Sequence, residues 1–343
     1  MKKNTLIKQN GTGLHAGIIG CGNMAGAHIR ACRQAKLPVI FDAFCDQQET
    51  QASKLTTESG GRYSTTDPKR LAEDPALDVL YICTPNHIHL DNLTAVSSGG
   101  KAIFMEKPLV TRRDDFKVMA ELIERHHLRF FPGLKIRFNP LMRRLRELAP
   151  QAHCVLGQVI DGPWPAGRWA SDPARGGGHC LSQGIYAAEG MRYLSGGEPI
   201  WVTARGGKKR SGPDGCIDTL AAVYEFDNGC VGTLTLADTA PAPDNGKFFF
   251  ELFGSGISAT LSQRFTRLAY RRADGKQDEI LTDEESGLVE ENRHFIECLL
   301  HNRPFALSFR DGWVCSEMIF AAFESIKTQQ PVRIDPWRLN PGH

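Results

Sequence analysis

The chain reads as two domains: an α/β domain with a parallel sheet, then an α+β domain on a large, mostly antiparallel open sheet. Three observations carry that expectation. The length of 343 residues is too great for one ordinary domain and suits about two. From Leu14 to Pro132, short apolar runs alternate with stretches of helical spacing, the repeat of βαβ units. Beyond Pro132, apolar runs follow one another through tight turns, as antiparallel strands do.

In the first half, residues 14–19, 39–45, 79–83, 102–105 and 129–131 are expected as strands, being short, apolar and rich in β-branched or aromatic side chains. The intervening segments 23–36, 47–58, 86–98 and 112–127 place apolar residues at helical spacing. A parallel sheet covered on both faces follows. In the second half, 220–226, 230–236, 248–253 and 265–270 read as strands, joined through Asp227-Asn228-Gly229, Gly254-Ser255-Gly256 and Asp274-Gly275. Helical patterns at 178–194, 286–301 and 311–327 can cover one face of that sheet. The boundary is placed near Phe131-Pro132-Gly133, giving domains 1–131 and 132–343.

Composition narrows the function classes. Hydrophobic residues make up 41%, charged residues 23% and aromatics 8%, as in a folded chain and unlike a disordered or collagen-like one. Lys and Arg number 41 against 39 Asp and Glu, so a formal charge of +2 offers no global attraction to nucleic acid or anionic lipid. The N-terminus (Met1-Lys2-Lys3-Asn4-Thr5-Leu6-Ile7-Lys8) has a signal peptide's charge without its apolar core, and no apolar run approaches a bilayer span. Ten scattered cysteines without a C-x-x-C pair read as free thiols in a reducing compartment. A cytoplasmic protein with neither nucleic acid nor membrane as partner is expected.

Directly after the first strand stands Gly20-Cys21-Gly22-Asn23-Met24-Ala25, a G-x-G-x-x-A, and a helix follows. Glycines there allow a tight turn and let backbone N–H groups approach a pyrophosphate at the helix N-terminus. Asp46 ends the second strand, where the acid that binds the adenosine ribose belongs, so the unit reads as a Rossmann dinucleotide-binding domain. A plainer reading of Asp46 is a helix cap at a strand end. Asp46 also favours NAD over NADP. A 2′-phosphate beside a carboxylate about 4 Å away, at an effective ε of ~20, is repelled by about 4 kcal/mol. Screened to ~2 kcal/mol, that is still more than tenfold in affinity. Gln47 and Gln48 follow, and no Arg there stands ready to hold a phosphate.

Two more motifs lie at predicted strand ends, where open α/β sheets bind ligands: Cys83-Thr84-Pro85-Asn86-His87-Ile88-His89 and Glu106-Lys107-Pro108. With the glycine loop, this T-P-N-x-x-H segment and E-K-P triplet resemble the Gfo/Idh/MocA family (glucose–fructose oxidoreductase, inositol dehydrogenase and relatives). Arg137-Phe138-Asn139-Pro140, Gly176-Gly177-Gly178, the stretch from Phe295 to Arg303-Pro304 and the final helix are similar too, so the resemblance covers nearly the whole chain. It implies an NAD(P)-dependent enzyme acting on CH–OH groups, with a sugar, cyclitol or related polyol bound between the first domain and the second domain's sheet. Gly20, Gly22, Asn23, Met24, Asp46, Thr84, Pro85, Asn86, His89, Glu106 and Lys107 would serve the cofactor, and Lys107 the proton on the reacting oxygen. From its own chemistry, a partly desolvated Lys at a strand end can exchange a proton near neutrality. Pro108 restricts Lys107 to extended geometry, and the sequence leaves open whether their peptide bond is cis.

The second-domain motif departs from the family, whose helix carries an Asp and, four residues later, a His or in some relatives a Tyr. Here Ser182 stands at the Asp position and Tyr186 at the His position. His179, Ser182 and Tyr186 share one helical face, with Gln183 beside them. A Tyr at the second position resembles the glucose–fructose oxidoreductase branch, which implies a phenol in the proton transfer. Lys107, Tyr186 and Ser182 are therefore the catalytic candidates, and Arg137, Trp169, His179 and Gln183 the substrate candidates.

Weaker signals have plainer explanations. His87 and His89 with Asp91 lack further ligands nearby for a metal, and none is expected. The basic run Arg205-Gly206-Gly207-Lys208-Lys209-Arg210 reads as a solvated loop tip, with an anionic-substrate contact as the alternative. His126-His127 closes a helix, where His suits the negative dipole end. Trp164, Arg168, Trp169 and Asp172 precede the glycines and can line a carbohydrate pocket. The second sheet has more apolar face than helices can cover, so a homodimer or homotetramer is expected. The rival readings are a non-catalytic NAD-binding sensor of the same fold and an NAD-dependent glycosidase.

Overall fold

The computed structural model describes residues 13–165, 167–209, 216–283 and 286–335. Arg210 of the basic run and the N-terminal residues Met1–Lys8 lie outside them. The described residues fall into two compact units, one running to Gly133 and including Leu288–Gly312, the other Leu134–Gly287 with the residues from Trp313 onward.

The first unit opens β1 (Leu14–Ile19), α1 (Asn23–Gln34), β2 (Val39–Cys45), α2 (Glu49–Ser59), β3 (Tyr63–Thr65) and α3 (Pro68–Glu73). It continues β4 (Val79–Ile82), α4 (His89–Val96), β5 (Ala102–Glu106), α5 (Asp115–Arg125) and β6 (Phe130–Gly133). The six strands are parallel in the order β3-β2-β1-β4-β5-β6, the doubly wound arrangement. β4 and β5 are buried at every residue, which is why they read as continuous apolar runs rather than alternating ones. β3 and α3 were not expected: β3 has only three residues, and α3 is six residues started by Pro68 and the cap Asp67, which accepts from Lys69 N–H.

The second unit holds α6 (Pro140–Leu148), β7 (Ala152–Ile160), α7 (Gly178–Ser195), β8 (Pro199–Gly207), β9 (Thr219–Phe226) and β10 (Val231–Ala237). β11 (Phe248–Gly254), β12 (Ile257–Ser262), β13 (Arg267–Arg272) and β14 (Gln277–Leu281) follow. Then come α8 (Leu288–Leu300), α9 (Phe309–Thr328) and β15 (Val332–Arg333). Nine strands are ordered β14-β13-β12-β11-β7-β10-β9-β8-β15, antiparallel except for β7 with β10. α7 lies against β7, β10 and β11, and Tyr224 of β9 donates its hydroxyl to the Met318 carbonyl of α9 at 2.9 Å. Strict alternation in β9 puts Leu220, Ala222, Tyr224 and Phe226 inside and Ala221, Val223 and Glu225 outside. On that outer face Trp201, Val223, Val231 and Phe253 remain exposed. The motif Asn139-Pro140 proves to be a helix start: Asn139 accepts from Leu141 and Met142 N–H at 2.9 and 3.1 Å, and Pro140 occupies the first turn.

A single cut at residue 131 misplaces α8, which packs with α1 in the first unit. Phe295 of α8 meets Tyr81, Phe104 and Phe131 with ring centroids 5.3 to 5.7 Å apart. Burying one such ring is worth roughly 1.5–3 kcal/mol, enough to hold the returning helix to that core. Among the described residues no helix is long and apolar enough to cross a membrane.

Candidate functional site

The glycine loop joins β1 to α1. Gly20 has φ +91°, and a Cβ there would meet the Cys83 and Thr84 backbone at 2.7 Å, so only glycine lets the loop lie against the end of β4. Gly22, at the helix N-cap, opposes nothing within 4 Å on its outer side, and the first turn of α1 carries no acidic side chain. The N-terminus of α1 therefore keeps its positive dipole end without a side-chain cap. Asp46 does more than follow β2: one carboxylate oxygen accepts Cys21 N–H at 2.8 Å and the other Gln48 N–H at 2.9 Å. It ties the loop to the strand end, and Gln48, not Asp46, stands at the N-cap position of α2, without a side-chain capping bond. Half-buried, with lone pairs left on both oxygens, Asp46 retains capacity for ribose hydroxyls. An open helix start, a loop made for close approach and an acid at the second strand end together fit NAD.

Thr84, Pro85 and Asn86 leave β4 at the same sheet edge, with Asn92 donating to the Thr84 hydroxyl at 3.2 Å. His89 does not join them at the surface. Fully buried, it donates Nε2–H to the Thr84 carbonyl at 2.9 Å and holds Nδ1 3.3 Å from the Leu109 carbonyl. Burial pushes its pKa below the usual histidine value against the pull of those carbonyls and Glu106. His89 thus braces two loops, a correction to its expected place beside the cofactor; the Thr84 and Leu109 carbonyls hold the ring inward.

Glu106 ends β5, buried, and the Lys107–Pro108 bond that follows is cis. One Glu106 oxygen accepts Lys107 N–H at 3.1 Å and the other lies 2.9 Å from His28 Nε2. Asn292 of α8 donates its amide to the Leu288 carbonyl at 2.8 Å and to His28 Nδ1 at 3.0 Å, while its oxygen accepts the Tyr81 hydroxyl at 3.2 Å. His28 Nδ1 lies nearer the Asn292 amide nitrogen (3.0 Å) than its oxygen (3.2 Å), and with that nitrogen as donor His28 donates from Nε2 to Glu106. The chain Tyr81–Asn292–His28–Glu106 is buried throughout and fixes the residue that precedes Lys107, whose own side chain is half-buried. Through these bonds Glu106 supports the backbone of Lys107. His28 escaped the sequence reading; the signal was a histidine on the apolar face of α1, beside Ala25, Ile29 and Cys32.

In the second unit α7 brings His179, Ser182 and Tyr186 onto one buried face, with Gln183 half-buried beside them. His179 meets Trp164 edge-on at 5.2 Å, and Arg168 lies 6.0 Å over Trp164. Trp169, in a short turn, is 37% exposed. Arg137 is anchored in the second unit: its Nε donates to buried Glu189 at 2.5 Å and its guanidinium covers Tyr193. That pairing answers a carboxylate which α7 would otherwise bury alone. Three residues that the sequence did not single out gather near Tyr186. Lys135 stands over its ring, Phe248 meets it edge-on, and Lys247 beside Phe248 pairs with Asp161. Among the described residues no three His, Cys, Asp or Glu groups cluster to hold a metal. All ten cysteines are free, and burial, with Asp46 adding to it, pushes the Cys21 thiol up to about 12.

Comparison with known proteins settles the lineage. The family model for the oxidoreductase family with an NAD-binding Rossmann fold matches residues 14–134, and the GFO/IDH/MocA C-terminal domain matches 153–260. The chain belongs to the Gfo/Idh/MocA family. It is 24% identical to myo-inositol 2-dehydrogenase of Thermotoga maritima over 94% of this chain and 99% of that one. With scyllo-inositol 2-dehydrogenase (NAD(+)) of Bacillus subtilis it shares 25% identity over 95% of this chain and 97% of that one. The solved structure of a levoglucosan dehydrogenase in complex with NADH and levoglucosan superposes with a TM-score of 0.85 at 21% identity, covering 94% of this chain and 100% of that one. The Gfo/Idh/MocA resemblance, the two-part fold and the NAD-binding Rossmann domain thus stand as the sequence led one to expect.

Proposed function

We propose that this Gfo/Idh/MocA protein is an NAD-dependent oxidoreductase interconverting a secondary alcohol and a ketone on a sugar, cyclitol or related polyol. One observation carries it furthest: the glycine loop, Asp46, Thr84-Pro85-Asn86 and Glu106-Lys107 all leave the same edge of one parallel sheet. The inositol and levoglucosan dehydrogenases among its relatives supply the substrate class. NAD, when bound, supplies hydride acceptance and, when reduced, hydride donation. The chain's part is position and proton. Gly20, Gly22, Asn23 and Met24 would hold the pyrophosphate and Asp46 the ribose. Lys107, steadied through Glu106 and His28, would take or return the proton of the reacting oxygen. Tyr186 would share or orient that proton, with Ser182 offering a hydroxyl where relatives carry an acid; His179 and Gln183 would meet the substrate.

We place the protein in a reducing, cytoplasmic setting, since ten free thiols suit one. A homodimer or homotetramer through the outer sheet face is the assembly we favour, because Trp201, Val223, Val231 and Phe253 lie exposed there. The deciding assay incubates the full chain with NAD and a panel of sugars, cyclitols and polyols and follows NADH. Accumulation with any member supports a dehydrogenase. Release of a leaving group from a chromogenic glycoside without net NADH marks the glycosidase, and NAD binding without either marks the sensor.

A further inference from the structure

One cation stands over Tyr186 and a second over its aromatic neighbour Phe248. Lys135 Nζ stands 5.3 Å from the Tyr186 ring centroid, and the ring meets Phe248 edge-on at 6.1 Å. Lys247 Nζ lies 5.4 Å from the Phe248 centroid, in a 2.5 Å ion pair with Asp161. The charged groups that act most on Lys247 are Asp161, Arg264 and Lys135. Asp161 thus answers Lys247, on which Arg264 and Lys135 also act, and His179 acts on Asp161 with the sign of a cation. Burial pushes the Lys247 ammonium below the usual lysine range, opposed by Asp161 and reinforced by Arg264 and Lys135. Like charges gathered in a partly desolvated place repel unless an anion answers them.

Arg264 is held there against its own backbone preference. Gln263, Arg264 and Phe265 have φ of 53°, 58° and 71°, and none is glycine. L-residues enter this region singly and reluctantly, so three in succession make a strained turn that persists only where its surroundings over-determine it. They do. Phe265 is 2% exposed and stacks on Phe248 at 5.1 Å and Phe250 at 5.9 Å. Gln263 donates its N–H to the Asn245 carbonyl at 2.9 Å and its side-chain amide to the Asp244 carbonyl at 2.8 Å. Gly246, at φ +90°, leaves space for the Arg264 backbone nitrogen, which a Cβ would meet at 3.2 Å. Strain of this kind concentrates where a side chain must be presented, and the one presented here is an exposed arginine.

We propose that Lys247 and Arg264, with Lys135, form an anion subsite beside Tyr186, and that the substrate is a polyol bearing a carboxylate or phosphate. This rests on the oxidoreductase reading above. Asp161 fixes one donor of the Lys247 ammonium, which has two more to offer a ligand. The Arg264 guanidinium adds a planar fork suited to either anion.

The test measures kcat/KM of the full chain with NAD for matched substrates: neutral hexoses and inositol, the corresponding hexuronates, and the corresponding phosphates. At least one anionic arm should exceed its neutral parent by about tenfold or more, the scale of a charge-assisted contact, with the advantage shrinking in high salt. The two anionic arms distinguish carboxylate from phosphate. Lys247→Gln and Arg264→Gln should each collapse the anion-to-neutral ratio several-fold, and Lys247→Arg should restore much of it. Neutral parents turned over as well as both anions would overturn the subsite and leave the oxidoreductase standing. If no arm yields NADH, calorimetric titration of glucuronate and glucose 6-phosphate into the NAD-loaded chain decides. Binding lost in Lys247→Gln supports the subsite while counting against the oxidoreductase; no binding overturns both.

Discussion

His28 Nε2 lies 2.9 Å from Glu106 Oε1, joining the first helix to the end of β5 inside a core from which water is excluded. Because Asn292 occupies the other ring nitrogen, the histidine has one orientation and Glu106 has one donor in that direction. His28→Leu removes that donor and leaves a buried carboxylate under-bonded, which should destabilise the protein by roughly 2–4 kcal/mol. Urea unfolding followed by circular dichroism measures this. A change below about 0.5 kcal/mol would show that the pair carries nothing.

Asp46 should make NAD(H) bind at least about tenfold tighter than NADP(H), since a 2′-phosphate would meet its charge. Its bonds to Cys21 and Gln48 N–H add a second consequence. Asp46→Ala should both admit NADP and weaken NAD, because the glycine loop loses its tether. Calorimetry with both cofactors reads the two effects; equal affinity in the wild type would remove Asp46 from the ribose site.

Five of the six parallel-sheet strands and the three cofactor-end motifs were legible because each sits in a continuous stretch whose pattern is local; three-residue β3 was too short to show one. β7 was not, although it lies mid-sheet: Ala-His-Cys-Val-Leu-Gly-Gln-Val-Ile mixes small, polar and apolar residues, and its partners in β10 and β11 come 77 to 102 residues later. The run 265–270 was expected as one strand, but Phe265 belongs to the left-handed turn and the strand starts at Arg267. His28 and Asn292 meet across 264 positions, and Lys247 and Asp161 across 86; only topology brings such pairs together. His89 matched its motif yet faces inward, since a motif states a position and not a direction.

His89 makes stability depend on pH. Its folded pKa lies below the ordinary value of 6.5, so as pH falls through that value the unfolded chain takes up a proton that the folded chain refuses. Stability should therefore decline as pH drops from about 6.5 toward the lower folded pKa, and level off below it. His89→Gln, which keeps a donor for the Thr84 carbonyl, should flatten that decline in urea midpoints measured from neutral to mildly acid pH. Identical slopes in both proteins would exclude His89 as the cause.

The outer face of the nine-stranded sheet leaves Trp201 40% and Val223 47% exposed on neighbouring strands. A homodimer or homotetramer through this face would bury them. Light scattering at micromolar concentration should report a mass of two or four chains, and Trp201→Glu with Val223→Glu should shift it toward the monomer. A monomeric wild type would refute the assembly.

Lys107→Ala should lower kcat by at least ~10²-fold, the usual scale for removing a general acid or base. NAD affinity should change little, because in the proposed site the glycine loop and Asp46 make the main contacts to the nucleotide and Lys107 acts on the reacting oxygen. Tyr186→Phe keeps the ring that Phe248 and Lys135 contact and removes only the hydroxyl, so its effect isolates the phenol's share. A loss as large as that of Lys107→Ala means that the phenol carries the proton; a loss of a few-fold means that it orients. Ser182→Asp is the informative reverse change, placing on the buried face of α7 the acid that the family resemblance implies there. An enzyme slowed by the lost carboxylate should gain activity or hold it, although the new charge must be desolvated. A sensor has no chemistry to regain. If wild type and Ser182→Asp both bind NAD yet reduce none across neutral and anionic polyols, the dehydrogenase assignment fails, and loss of the family's acid marks a change of role rather than of rate.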